Sequence, residues 1–435
     1  LNDFEWLQAT GQITTIRYPK TIHIAASISS PQQSSLPGLS GQSSFGTRGQ
    51  MDCPDKPGND SRGESLDMTE IWPQGVFPAR LIEKLHQEGA ITAARPFDAD
   101  QVQPASLDLR LGKTAFRVRS SFLPGPAHSV AERIEALKLH EIDLSKGAVL
   151  ERGCVYLVPL EESLDLPEGV SASANPKSST GRLDVFTRVI GDRARGFDQL
   201  PAGYKGPLYL EISPRTFPVL VRTGSRLSQM RFRCGDSRLS VAEHQALHQS
   251  DILVIDGQQP VDHGVALSID LKGEGRNGLI GFRSKRHTAV IDVDKKSALD
   301  VLDFWEPLYS RGREELILDP DEFYILVSLE AVHVPPTHAA EMVPFDPLVG
   351  EFRVHYAGFF DPGFGHSAAG GTGSRAVLEV RSREVPFLLG HGQIIGRLIY
   401  ENLAETPDRL YGSDLGSNYQ AQTLKLSKHF KAFEG

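Results

Sequence analysis

Two kinds of residue in this chain have the types and spacing to do chemistry. In NPKSSTGRLDVFTRVIGDRARG (175–196), Lys177, Ser178, Ser179 and Arg182 fall within six residues of a turn-like segment. Ammonium and guanidinium groups neutralise phosphate charge, and hydroxyls with backbone N–H groups fill the remaining lone pairs, so the cluster suits a polyphosphate. Ser/Lys/Arg turns are also common on plain surfaces, and the GxxxxGK[ST] pattern of a P-loop is absent. The second feature is a carboxylate in an apolar strand. AGFFDPGFGHSAAGGTGSRAVLEV (357–380) reads as a β-hairpin with an Asp-Pro-Gly turn, a glycine-rich tip and a returning strand that carries Glu379. Such a glutamate must be solvated, paired or used. Glu211, in LYLEI, stands in the same setting upstream.

Other sites fare worse. His244 and His248 lie four apart in SRLSVAEHQALHQSD (237–251), but two imidazoles without further ligands suggest a solvated helix face. No HExxH occurs, nor the HxE…PCxxC signature of zinc deaminases. The spaced glycines of GFGHSAAGGTG sit within the expected hairpin rather than between a strand and a helix, so a dinucleotide fold is excluded on context. Cys53, Cys154 and Cys234 form no CxxC pair and no disulfide framework.

The elements that must position these residues are mostly strands. FPARLIEKLHQEGAI suggests a short helix, with Pro78 in its first turn, Leu81, Ile82 and Leu85 on one face, and Gly89 ending it. Beyond it, short β-runs such as ASLDLRLG, CVYLVPL, GPLYLEI and FPVLV alternate with Gly, Pro and Asp turns, which points to an all-β sandwich or barrel. The pattern then recurs. Tyr156 and Tyr324, Glu211 and Glu379, Pro218 and Pro386, and Gly224 and Gly392 are each 168 positions apart, as a tandem duplication of a β-domain requires. A fainter echo links PASLDLRLG (104–112) with VALSIDLKG (265–273).

A chain of 435 residues suits about two domains, and 40% apolar content allows a sizeable core. A net charge of −9 argues against a general nucleic-acid or membrane-surface binder, and no apolar run approaches bilayer length. The expectation is a reduced, cytoplasmic protein. Residues 1–67 are rich in Ser, Gly, Pro and Gln and read as disordered or as a non-native leader, with Met68 the natural start. The expected domains are 68–236 and 252–402, joined by a connector at 237–251 and followed by a tail at 403–435.

QPASLDLRLG, KSSTGR, AGFFDPGF, the later glutamate and RLYGSDLGSNYQAQ (409–422), taken with the duplication, resemble the dCTP deaminase branch of the dUTPase-like superfamily across roughly residues 75–425. The resemblance implies a mainly β chain of two tandem distorted β-barrel or jelly-roll domains with a few short helices. It also implies a homo-oligomer with a trimeric arrangement of domains, dCTP bound as a triphosphate with Mg2+, and deamination to dUTP and ammonia without zinc. dUTP or dTTP would act as product or effector.

Carried over residue by residue, Ser178, Ser179 and Arg182 fall on the family's Ser-Ser-x-x-Arg motif, with Lys177 where an arginine is usual. Arg193 falls on the arginine that precedes the hairpin's Asp-Pro-Gly. The first half then departs: RARGFDQLPAGYKG has lost Asp-Pro-Gly. The second half keeps Ala357, Asp361, Gly363 and Glu379, but its VPFDPLVGEF has neither Ser-Ser nor arginine. The expectation is a divided site. The first half supplies Lys177, Ser178 and Arg182, the second supplies Ala357, Asp361 and Glu379, and Tyr411, Tyr419 and Gln422 of the tail close it. Asn418 stands where the family has a lysine. On this reading Glu379 shuttles the proton, a backbone carbonyl near Ala357 holds the water, Ser178 and Arg182 stabilise developing charge, and Glu211 is a relic or packing residue unless the roles are reversed. A dUTP diphosphatase, a bifunctional enzyme, a catalytically silent nucleotide-binding regulator and a purely structural duplicated β-protein are the alternatives.

Overall fold

The computed structural model describes residues 72–255, 261–344, 352–355, 358–382, 384–412 and 423–434. The expected leader, and the site candidates Ala357, Tyr419 and Gln422 together with Asn418, lie outside the described residues. The chain is mainly β, with few short helices. Among the described residues no helix is long and apolar enough to cross a membrane.

The first helix runs Ala79–Gln87 behind Pro78, and Ala79, Leu81, Ile82 and Leu85 are buried. This is the apolar stripe that the spacing of those residues requires. Strands of residues 102–234 form two main sheets. One orders Gln199–Leu200, Val170–Pro176, Arg226–Cys234, Ser106–Arg110 and Val102–Gln103; the other orders Val185–Gly191, Lys205–Pro214, Val155–Asp165, Thr114–Val118 and Lys138–Asp143. In residues 265–402, Phe352–His355, Ser374–Ser382, Phe323–Val332, Leu279–Ser284 and Trp305–Tyr309 repeat the second order. Val265–Ser268, Ile394–Asn402 and His338–Pro344 repeat the centre of the first.

The 168-residue offset reaches single hydrogen bonds. Glu151 N donates to the Tyr156 hydroxyl at 3.0 Å, and Asp319 N to the Tyr324 hydroxyl at 2.9 Å. The Glu162 carboxylate accepts from Arg110 N at 2.9 Å, as Glu330 accepts from Ser268 N at 2.7 Å.

That last pair corrects the faint echo. Arg110 corresponds to Ser268, so 104–112 aligns with 262–270 rather than with 265–273. The two glycines that anchored the earlier alignment do different jobs. Gly273 turns the chain at φ +68°, whereas a Cβ on Gly112 would fall 2.5 Å from the Pro159 carbonyl oxygen.

Two further expectations are corrected. The 357–380 segment is not a hairpin, because its arms enter different sheets. Phe359–Phe360 pairs with Ala340 and Glu341, while Ser374–Ser382 pairs with Phe323–Val332. Glycines 363, 365, 370 and 373, all at positive φ, let the chain fold back and cross between sheets. The connector helix Val241–Ser250 is capped by Ser240 and Glu243, but His244 is buried rather than solvated. Its Nδ1 bonds the Ser240 carbonyl at 3.0 Å and its Nε2 accepts from Tyr400 N at 3.1 Å. His248 Nδ1 accepts from Leu253 N at 3.2 Å, so both rings are structural.

Candidate active site

Strand Val170–Pro176 ends where Lys177 turns the chain into the single helical turn Ser178–Gly181. Lys177 O accepts from Thr180 N at 2.8 Å and from Gly181 N at 3.0 Å, and Ser178 O accepts from Arg182 N at 3.1 Å. One turn sets Ser178 and Arg182 four residues apart, on one side. Arg182 is buried, and its Nη1 donates to the Lys425 carbonyl at 2.9 Å. Ser427 Oγ donates to the Ser179 carbonyl at 2.7 Å, so residues 425–427 lie against the motif.

Glu379 meets this turn from the other half of the chain. On Ser374–Ser382, Leu378 and Val380 enter the core of the second half, while Val377 joins the core centred on the first. Alternation therefore turns Val377, Glu379 and Arg381 toward the first half. Arg182 Nε lies 3.9 Å from Glu379 Oε1, and both side chains are buried. Burial pushes the Glu379 carboxyl up to about 8, the Arg182 charge pulls it back, and Asp184 adds to the rise. Two residues on, Arg381 pairs with Asp184, and Thr216 Oγ1 donates to the same Asp184 carboxylate at 2.6 Å.

A second bridge holds Asp361. Arg231, fully buried in Arg226–Cys234, donates to the Ala340 carbonyl and to Glu401, each at 3.1 Å. It also donates to the Phe360 carbonyl at 3.3 Å, reaches Asp361 Oδ1 at 3.5 Å, and lies over the Phe359 ring at 4.1 Å. Burial raises the Asp361 carboxyl against the pull of Arg231, and the Asp108 charge adds to the rise. Lys177 pairs with Asp108. Tyr411 N donates to the Pro362 carbonyl at 2.8 Å, and its ring rests against Phe364.

Of the turn that carries Lys177, Ser178 and Ser179, Arg182 is the residue that reaches Glu379 of the second half, while Lys177 and its partner Asp108 act on the Asp361 carboxyl and Tyr411 rests against the loop that follows Asp361. Glu211 and Arg193 are placed elsewhere. Glu211 is held by Arg188 on the neighbouring strand, at 3.0 Å from Nε. Arg193 lies beyond the far end of Val185–Gly191, where its N–H donates to the His128 carbonyl at 3.2 Å. It lines a cleft of about 990 Å³ with Ser129, Arg195, Gln199 and Tyr204. Asp108, Asp184, Arg231 and Arg381 were not singled out from the sequence, although a charge within an apolar strand such as QMRFRC is the same signal that drew attention to Glu379.

A buried carboxyl raised toward neutral pH and facing a buried guanidinium is the make-up of a candidate acid–base site. Residues 73–236 match the family model of the 2'-deoxycytidine 5'-triphosphate deaminase N-terminal domain, and residues 240–430 that of the C-terminal domain. The chain belongs to the dCTP deaminase family and is an enzyme that deaminates dCTP.

It is 32% identical over 141 residues to a dCTP deaminase, dUMP-forming, of Beutenbergia cavernae, covering 32% of this chain and 70% of that protein. Identity to a dCTP deaminase of Halorubrum lacusprofundi is 32% over 160 residues, 35% of this chain and 74% of that one. The crystal structure of 2'-deoxycytidine 5'-triphosphate deaminase from Agrobacterium tumefaciens is 67% identical. It superposes with a TM-score of 0.74 and covers 76% of this chain and 99% of that chain.

Proposed function

We propose that dCTP is deaminated at the seam between the two halves, with Glu379 as the proton carrier. The observation that supports this reading is the approach of Arg182 to Glu379 across that seam. Water attacks C4 of cytosine as the Glu379 carboxylate takes its proton. The carboxylic acid then returns that proton to the departing amine, leaving ammonia and a uracil base. A positioned acid–base group of this kind contributes about 10²–10⁴-fold.

Arg182 and Ser178 stabilise charge that develops at the base, and the backbone near Ala357 holds the water. Lys177 and Ser179 meet the triphosphate of the substrate, which carries its Mg2+ with it. Asp361 fixes the nucleoside, and Tyr411, Tyr419 and Gln422 close the site. Glu211 and Arg193 stand outside this site. Each half is read as one dUTPase-like barrel, supported by the hydrogen bonds that recur at the common offset. Several chains would bring the barrels into trimeric groups in the cytoplasm.

The product of this reading is dUTP. The relatives named dUMP-forming favour a second reading, in which the same chain goes on to release pyrophosphate. The experiment is ammonia release from dCTP with Mg2+, with and without a zinc-selective chelator, with nucleotide products resolved. Ammonia with dUTP, unaffected by the chelator, is the expected result. Pyrophosphate and dUMP would establish the second reading, and loss of activity with the chelator would overturn the metal-free glutamate route.

A further inference from the structure

We propose that His366, held by Asp251 at the end of the connector helix, is a positioning residue for the loop that carries Asp361. The inference rests on the reading of the site given above. Residues 361–373 close on themselves: Phe364 N donates to the Asp361 carbonyl at 3.1 Å, Gly371 N to the His366 carbonyl at 2.9 Å and Gly373 N to the Gly365 carbonyl at 2.8 Å. The tip has no room for larger residues. A Cβ on Gly365 would fall 2.3 Å from the Val332 carbonyl oxygen, and one on Gly371 would fall 2.5 Å from the Gly365 backbone. Between Gly365 and Gly373, His366 is the one long side chain.

Its two ring nitrogens have separate tasks. Nδ1 accepts from Ala368 N at 3.1 Å, so in the neutral ring the proton sits on Nε2. Nε2–H then donates to Asp251 Oδ2 at 3.0 Å. Asp251 is itself a fixed post. Its N–H donates to the Leu247 carbonyl at 2.7 Å, and the helix before it is fastened to Ile394–Asn402 through His244. On the inner side of the loop, Phe364 packs edge-on against Phe360 and lies beside Tyr411. The tie at the tip is therefore two residues from Phe364 and five from Asp361. The connector does more than join the two halves; it sets the loop.

A loop released from this tie spends less time in the arrangement that binds substrate, which lowers apparent affinity by the fraction lost and leaves the saturated rate alone. His366→Ala and Asp251→Ala should each raise KM for dCTP about tenfold, with kcat within about twofold. The double variant should be no worse than either single one, because the two changes remove one contact. His366→Gln, whose amide nitrogen reaches toward Asp251, should restore KM. His366→Asn, which keeps only the bond from Ala368 N, should not.

Additive effects in the double variant, an unmoved KM, or rescue by Asn rather than Gln would overturn the proposal. Glu379→Gln separates it from the site reading. An active Glu379→Gln enzyme in which the His366 and Asp251 variants still shift KM together would sink the site assignment and leave the tie standing.

Discussion

Glu211 and Glu379 occupy one position in two copies of the same strand, yet their surroundings differ. Glu211 faces Leu157 on one neighbouring strand and Arg188 on the other; Glu379 faces Ile325 and His355 in the same register. What covers each face decides the difference. In the first half, Val130–Leu137 and Phe122 roof the strand with residues of its own half, and Arg188 lies under that roof, 3.5 Å from the centre of the Phe197 ring. The corresponding helix of the second half is only Val301–Phe304, and the exposed side of the Glu379 strand is covered by the first half instead. A shorter helix and a foreign cover bring Arg182 where Arg188 would otherwise have to serve. One glutamate is neutralised within its own sheet, and the other is offered to a seam.

The most decisive way to break this comparison is to remove each carboxylate in turn. Glu379→Gln keeps the shape and loses the proton carrier, so kcat for ammonia release should fall about 10²–10⁴-fold. The pH profile follows from the raised carboxyl. Its base form is scarce below about 8, so kcat/KM of the free enzyme should climb about tenfold per pH unit and level off near pH 8. A flat profile between pH 6 and 8 would show that Glu379 is not the base.

Stability runs the opposite way. The folded state holds this proton above the usual glutamate range, so stability declines as pH rises from about 4.5 to about 8. Glu379→Gln should flatten that part of a denaturation series. Arg182→Lys sharpens the seam itself. A lysine keeps the charge but loses the planar fork that also holds the Lys425 carbonyl, and activity should drop about tenfold.

The parts of this arrangement that could be read from residue order are those whose cause is local. Pro78 and the stripe Leu81, Ile82 and Leu85 produce a helix by themselves, and a duplicated Tyr-to-Glu spacing reproduces a duplicated strand pair. The register of the faint echo was not legible. Matching glycine to glycine set the two runs three residues out of their true register, an odd slip that reverses their faces, and neither glycine could reveal its backbone angle. The supposed hairpin failed for a related reason: glycines announce a turn without saying which sheet the chain re-enters. Arg231 with Glu401 and Arg381 with Asp184 join residues more than 150 positions apart, and no local pattern encodes such partners. Glu379 itself was legible because a buried charge in an apolar strand has to be explained wherever its partner comes from.

The smallest expected effect tests the other side of the comparison. Glu211→Gln retains the carbonyl oxygen that accepts from Arg188, so the roofed cluster should survive with the deaminase rate within about threefold of the parent. The lost charge has a nearby substitute. Asp198, which accepts from Val189 N at 2.7 Å, is raised by burial to about 7, and the Glu211 charge helps to keep it there. Without that charge Asp198 should ionise at lower pH and balance Arg188 in its place. A carboxyl-resolved NMR titration of the variant reads this directly, as a downward shift for Asp198. If Glu211→Gln instead abolishes ammonia release while Glu379→Gln remains active, the roofed glutamate is the working one and the seam is only a packing contact.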